Sequence, residues 1–149
     1  MNTIRLDHRI IHFLRRAFIP VGRFSLFVVY TWFGALKILG LSPASSLVHD
    51  LFNATIHFMP FSTFYILFAW FEVLIGIMFL FPRLTRYVLP LLFIHMITTF
   101  LPLIFLPQEA WSGFMVLTLP GQYIIKNLVI IAVGIGIAAQ VHPLEKRAS

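Results

Sequence analysis

Four runs of about twenty apolar residues dominate this chain, at 22–41, 63–82, 87–106 and 123–140. Each is long enough to cross a hydrocarbon core of ~30 Å as an α-helix rising ~1.5 Å per residue. Backbone N–H and C=O groups find no partner in hydrocarbon, so only helices and closed barrels cross it. These runs lack the period-two alternation of barrel strands. Composition points the same way: 60% of the 149 residues are hydrophobic and 11% charged, and the mean hydropathy is +0.94. With 17 phenylalanines and 3 tryptophans besides, the chain holds more apolar surface than one small water-soluble core can hide. The expected class is an all-α membrane protein built as a four-transmembrane-helix bundle, with the lipid bilayer as its first partner. Four spans leave no room for a second domain.

Lysine and arginine set the expected orientation. Arg5, Arg9, Arg15, Arg16 and Arg23 cluster at the start, Arg83 and Arg86 fill the turn between the second and third runs, and Lys146 and Arg147 follow the fourth. The connections 42–62 and 107–122 contain neither residue type. Basic residues stay on the cytoplasmic side, so both termini are expected in the cytoplasm of a multi-pass bacterial inner-membrane protein. The +6 formal charge then follows from topology, with no call on nucleic acid. A cleavable signal peptide fits poorly, because the first apolar run is too long, holds Lys37 and lacks a small-x-small cleavage site.

Residues 1–21 read as a separate interfacial element. At helical spacing Ile4, Ile11, Leu14 and Phe18 share one face, and Arg5, Arg9, His12 and Arg16 the other. This predicts a cytoplasmic amphipathic helix, its apolar stripe in the acyl boundary. His8 and His12 stand four apart, but without a carboxylate or third ligand they are read as part of a solvated basic face, not as a metal site. Residues 22–140 form the bundle and 141–149 a cytoplasmic tail. In the first outer loop Leu47, Val48, Leu51, Phe52, Thr55 and Met59 recur at helical intervals, predicting a short outer-loop helix that either lids the bundle or merely connects two spans. Pro20 is expected at the start of the first span, and Pro90 and Pro102 are expected to bend the third.

Three ionisable side chains interrupt the apolar runs: Lys37, Glu72 and Lys126. A charge near mid-bilayer costs roughly 2.5–3.5 kcal/mol on insertion scales, so it is retained with a partner or a function. By helical rise Glu72 and His95 fall near the middle of their spans, and Lys37 and Lys126 both lie roughly 8 Å outward of the midplane. Tyr30 and Gly34 share a face with Lys37. Ala69 and Gly76 share one with Glu72, and Asn127 is followed on its face by Gly134 and Ala138, a spacing that lets helices approach closely. These faces predict polar sides converging on an outward-open cavity. The plainer alternative has the two lysines snorkelling to the headgroups as anchors.

The same residues carry a family resemblance. Gly34-Ala35-Leu36-Lys37 resembles the G-x-x-K of the DoxX-like membrane proteins. Glu72-Val73-Leu74-Ile75-Gly76, followed by Pro82-Arg83-Leu84-Thr85-Arg86, resembles the E-x-x-x-G second span and L-T-R turn of that family. Gly121-Gln122-Tyr123-Ile124-Ile125-Lys126-Asn127-Leu128 is similar to the signature of its YkgB-like branch. The resemblance implies a four-helix inner-membrane protein, with relatives associated with thiosulfate:quinone oxidoreductase subunits and oxidative-stress complexes. Carried over by position, it singles out Lys37, Glu72, Lys126 and Asn127. It implies no catalytic role for them.

Chemistry narrows the function. The chain has no cysteine, which excludes thiol–disulfide exchange and iron–sulfur ligation by its own residues. One intramembrane histidine does not supply the opposed pair of a b-type haem. No dinucleotide, P-loop or zinc-protease motif is present, so no covalently held cofactor and no metal is expected. A lipid-soluble quinone is the redox carrier that suits such a chain, with Lys37 and Lys126 donating to its carbonyls, Glu72 or His95 moving protons and Tyr30 beside the ring. The leading expectation is a subunit of a redox or oxidative-stress system, at most a quinone-linked oxidoreductase subunit, binding a quinone or small anion through Lys37, Glu72, Lys126, Asn127, His95 and Tyr30. Its protein partners would be a soluble or membrane oxidoreductase subunit, or further copies of itself. A small proton-coupled transporter or channel, and a non-catalytic anchor or assembly factor, are the rivals.

Overall fold

The computed structural model describes residues 2–141; the tail containing Lys146 and Arg147 lies outside the described residues. Four helical segments are long and apolar enough to cross a membrane: Ile4–Ile38, Phe61–Phe79, Pro82–Phe105 and Leu119–Ala138. The first is nearly the whole of α1 (Asn2–Ile38), a single helix of 37 residues and about 55 Å. The expected break between an interfacial helix and a first span is therefore absent, and Pro20 sits inside the helix. The reason lies in packing. On one side of Pro20 the Phe18 ring lies against Gly136, and on the other Gly22 lies against Val133, so the fourth span braces α1 across the hydrogen bond that proline removes.

The end of α1 is encoded locally. Gly40 adopts φ +69°, Gly40 N–H donates to Lys37 O at 3.1 Å, and Leu41 N–H donates to Leu36 O at 2.8 Å. This pair of bonds is a Schellman cap, which requires a residue in the left-handed region. A Cβ at Gly40 would meet nothing within 4 Å, so its cost is purely conformational. Gly40→Ala is expected to destabilise the protein by about 1–2 kcal/mol, read as a lower thermal midpoint in detergent, with Gly40→Asn costing less. Equal midpoints for all three proteins would show that the cap is not formed.

After α1 comes a short helix, α2 (Ser45–Thr55), at the position given by the Leu47–Val48–Leu51–Phe52 periodicity. It lies against the start of α3 (Phe61–Phe79): Phe52 is buried, with its ring 5.5 Å from Phe61 and 5.0 Å from Phe64. A 3₁₀ turn, Pro82–Leu84, leads into α4 (Thr85–Phe100). Pro90 is accommodated inside α4, whereas Pro102 ends the regular helix and opens a one-turn segment, α5 (Pro102–Phe105).

The second connection contains more structure than expected. A one-turn helix, α6 (Pro107–Ala110), is followed by a hairpin of β1 (Trp111–Gly113) and β2 (Val116–Leu117). Strands of three and two residues carry no periodicity, so the sequence signals nothing there. The fourth span is two helices, α7 (Leu119–Lys126) and α8 (Leu128–Ala138), separated at Asn127. It begins earlier than the expected 123 because Thr118 caps α7, its hydroxyl accepting from Gly121 N–H at 3.2 Å.

The long helices form a ring in chain order: α1 packs on α3 and α8, and α4 packs on α3 and α8. The α1–α3 pair is the most extensive, and small residues make it so. A Cβ at Gly34 would come within 2.7 Å of Ala69 O, and one at Gly76 would collide with the Thr31 hydroxyl. All four spans contribute to one core, which includes Leu26, Ile75, Phe79, Leu92 and Ile137. The outer faces are apolar as well: Trp32, Leu67, Trp70, Ile97 and Val129 are all more than half exposed. A surface of this kind is unsuited to water and suited to lipid. Arg23, Arg83 and Arg86 lie together at one end of the ring. There Arg23 donates through Nε to Phe79 O (3.2 Å) and through Nη2 to Thr85 Oγ1 (2.6 Å), tying the end of α3 to the start of α4.

Candidate functional site

Glycine places the site. Tyr30, Gly34 and Lys37 lie along one face of α1, and the missing Cβ of Gly34 lets the α3 backbone at Ala69 and Val73 come close. Glu72, on that same stretch of α3, is thereby brought within reach of α1. Its Oε2 accepts from Lys37 Nζ at 2.7 Å. Its Oε1 lies 3.2 Å from His95 Nε2, on α4, and His95 Nδ1 lies 3.0 Å from the Tyr30 hydroxyl. Lys37, Glu72, His95 and Tyr30 expose only 5%, 5%, 4% and 3% of their surface. A four-membered hydrogen-bonded chain thus crosses the core from α1 through α3 and α4 and back to α1.

The direction of each bond follows from donor inventory. With Lys37 charged and Glu72 ionised, both carboxylate oxygens accept. His95 then carries its proton on Nε2 and donates it to Oε1, leaving Nδ1 as the acceptor for Tyr30 O–H. Every member has at least one hydrogen-bond partner within the chain of four, which offsets part of the cost of burying it. The chain is neutral as a unit, one ammonium against one carboxylate.

An aromatic wall encloses it. Phe68 stacks on the imidazole with centroids 5.3 Å apart and planes 20° apart, and Tyr30 meets the imidazole edge-on at 5.2 Å. The ammonium of Lys37 lies 5.6 Å from the centre of the Phe68 ring, so the same ring touches the base and the cation. From there rings continue towards the loop end: Phe68 to Phe64 at 5.6 Å and Phe64 to Phe52 of α2 at 5.0 Å. Packed side chains surround the four groups, and the concavity lined by Arg23, Arg83 and Arg86 does not reach them. Where the sequence led to an expected outward-open cavity, these polar groups meet one another directly, and α2 packs on the start of α3 at that end.

Two of the expected residues stay outside. Lys126 is exposed, its ammonium 4.4 Å from the ring centre of its own neighbour Tyr123. It belongs to α7, which packs on α4, α5 and α6 and is not among the helices lining Glu72. Asn127 is half-buried at the break between α7 and α8, where its carbonyl accepts from Ile131 N–H at 3.1 Å. Thr98 and Thr99 also stay apart, each hydroxyl donating back to a carbonyl of its own helix, that of His95 and that of Met96. Phe33, one turn of α1 beyond Tyr30, is 51% exposed and takes no part in the site. Phe68 was not singled out by the sequence. Its position four residues before Glu72 was the available signal, lost among the other phenylalanines of that span.

No family model, no curated protein and no solved structure matches the chain.

Proposed function

We propose that this chain is a multi-pass inner-membrane protein, with both termini cytoplasmic, that couples a proton to the binding of a small anion or a quinone carbonyl. Glu72 takes up the proton and Lys37 is released by it. The observation that supports this reading is the neutral Lys37–Glu72 pair, linked through His95 to Tyr30, in an apolar core. A lone charge added to such a site is expensive, so the net charge of the site must be conserved. If Glu72 accepts a proton, its carboxyl no longer balances the ammonium, and an anion can replace it with the net charge still zero. A quinone oxygen on Lys37 would use the same logic during reduction, with electrons supplied by a partner subunit and protons passed along His95 and Tyr30. The DoxX-like resemblance makes a redox or oxidative-stress complex the favoured setting. A proton-coupled transporter is the same chemistry with access alternating between the two faces.

Orientation rests on the basic residues gathered at one end of the ring and on the absence of lysine and arginine from both connections at the other. Lys126, facing outward beside Tyr123, fits an interfacial anchor better than a second ligand donor.

The test is infrared difference spectroscopy on the purified protein in lipid, with sulfate or a water-soluble quinone as probe. Probe binding is expected to produce a protonated carboxyl band that Glu72→Gln removes, and to make probe affinity independent of pH in that variant. Binding without a carboxyl signal, or with unchanged pH dependence in Glu72→Gln, would sink the coupling. No binding to the parent protein under either condition would favour the anchor.

A further inference from the structure

At the opposite end from the α2 cover, a concavity of about 380 Å³ opens between α1, the 3₁₀ turn, α4 and the end of α8. Its volume falls within the range of small-ligand pockets, roughly 300–1,000 Å³. Three guanidinium groups line it, from three separate elements: Arg23 on α1, Arg83 in the turn and Arg86 on α4. Gln140 adds an amide, and Ile19 and Ile137 add an apolar flank. No acidic residue is among the described residues that line it.

We propose that this concavity binds a phosphate-bearing anion, foremost the headgroup of an anionic phospholipid. The guanidinium fork matches phosphate oxygens two at a time, and three forks around one recess define a site where a single surface arginine defines none. Arg23 is held ready for this. Its Nε and Nη2 are engaged by Phe79 O and Thr85 Oγ1, which fixes the plane of the group and leaves Nη1 for a ligand. The apolar flank suits an acyl chain leaving the headgroup, as in basic recesses between transmembrane helices that hold anionic lipids. The recess also spans the joint that Arg23 makes between α3 and α4, so an occupant would brace that joint. Nothing in this site depends on protonation of Glu72.

Lipid retention by native mass spectrometry tests it, using the full chain extracted in mild detergent and supplied with phosphatidylglycerol or phosphatidylcholine. Arg83 and Arg86 are both exposed at the rim, so Arg83→Gln/Arg86→Gln is the informative variant, with Arg83→Gln alone as a milder second. Arg5→Gln/Arg9→Gln controls for attraction to the distant basic face of α1. The parent and the control are expected to retain phosphatidylglycerol in preference to phosphatidylcholine. The Arg83/Arg86 double variant should lose about tenfold or more in that retention, and the single variant part of it. Inorganic phosphate should compete with the lipid. Stabilisation by inorganic phosphate that needs Arg83 and Arg86, without any preference for phosphatidylglycerol, would sustain the anion site with a soluble occupant. Equal retention of both lipids with no effect of phosphate, or undiminished retention in the double and single variants, would overturn the proposal.

Discussion

Lys37→Met is expected to destabilise the protein by about 3–5 kcal/mol, the range found when one partner of a buried ion pair is removed. Glu72 would be left among packed rings with His95 as its remaining partner, since Lys37 Nζ at 2.7 Å supplies the only other bond to its carboxylate among the described residues. Glu72→Leu strands the ammonium instead, with the face of Phe68 beside it. Removing both charges together leaves no uncompensated ion and retains the His95–Tyr30 hydrogen bond. Lys37→Met/Glu72→Leu should therefore lose less than the sum of the single losses, by about 2 kcal/mol or more. Reversible unfolding in mixed micelles across the four proteins measures this coupling. Additive losses, or a Lys37→Met protein as stable as its parent, would place the ammonium at the headgroups and remove the chain of four.

The second large effect is steric. Gly76→Ala and Gly34→Ala are each expected to cost about 3 kcal/mol, the upper part of the range for overpacking, because backbone atoms stand in the way beside the Thr31 and Val73 side chains. At Gly76 the new methyl meets Thr31 N at 2.8 Å and Phe27 O at 3.1 Å, and at Gly34 it meets Ala69 O at 2.7 Å and Val73 N at 3.0 Å. Neither helix can yield without the pair moving apart. Gly134→Ala provides the comparison, since its methyl meets the tip of a side chain, Leu92 Cδ2 at 2.7 Å, which can rotate. It should cost about 1 kcal/mol or less. Gly34→Ala should also weaken the Lys37–Glu72 bond, so that Lys37→Met costs less in its background than in the parent. If all three substitutions cost the same, close approach of α1 to α3 is not what assembles the site.

Much of the site was legible in the residues. Glu72 in an apolar run, the Tyr30–Gly34–Lys37 face and the small residues around Glu72 marked polar faces expected to converge, without saying which helices would meet. His95 at the matching depth completed the set. Lys126 misled, because depth alone made it the equal of Lys37. The break at Asn127 and the placement of α7 beside α4, α5 and α6 turn it away from Glu72. The joining of the interfacial segment to the first span was likewise hidden. Pro20 reads as a boundary until Gly136 and Val133 are seen bracing the helix on both sides of it.

What the sequence alone determined about this protein is what depends on position along the chain: the number of helices long and apolar enough to cross a membrane, the clustering of basic residues outside them and the place of each ionisable group along its helix. These are sums over residues of solvent preference and helical rise, and they hold whatever the neighbours do. Only the tertiary structure decided which lysine pairs with Glu72, whether a cavity or a closed network results, and where three arginines converge. Those outcomes depend on rotation about each helix axis, which advances about 100° per residue. A single proline or break resets that angle, and no local signal reports which helix will stand opposite.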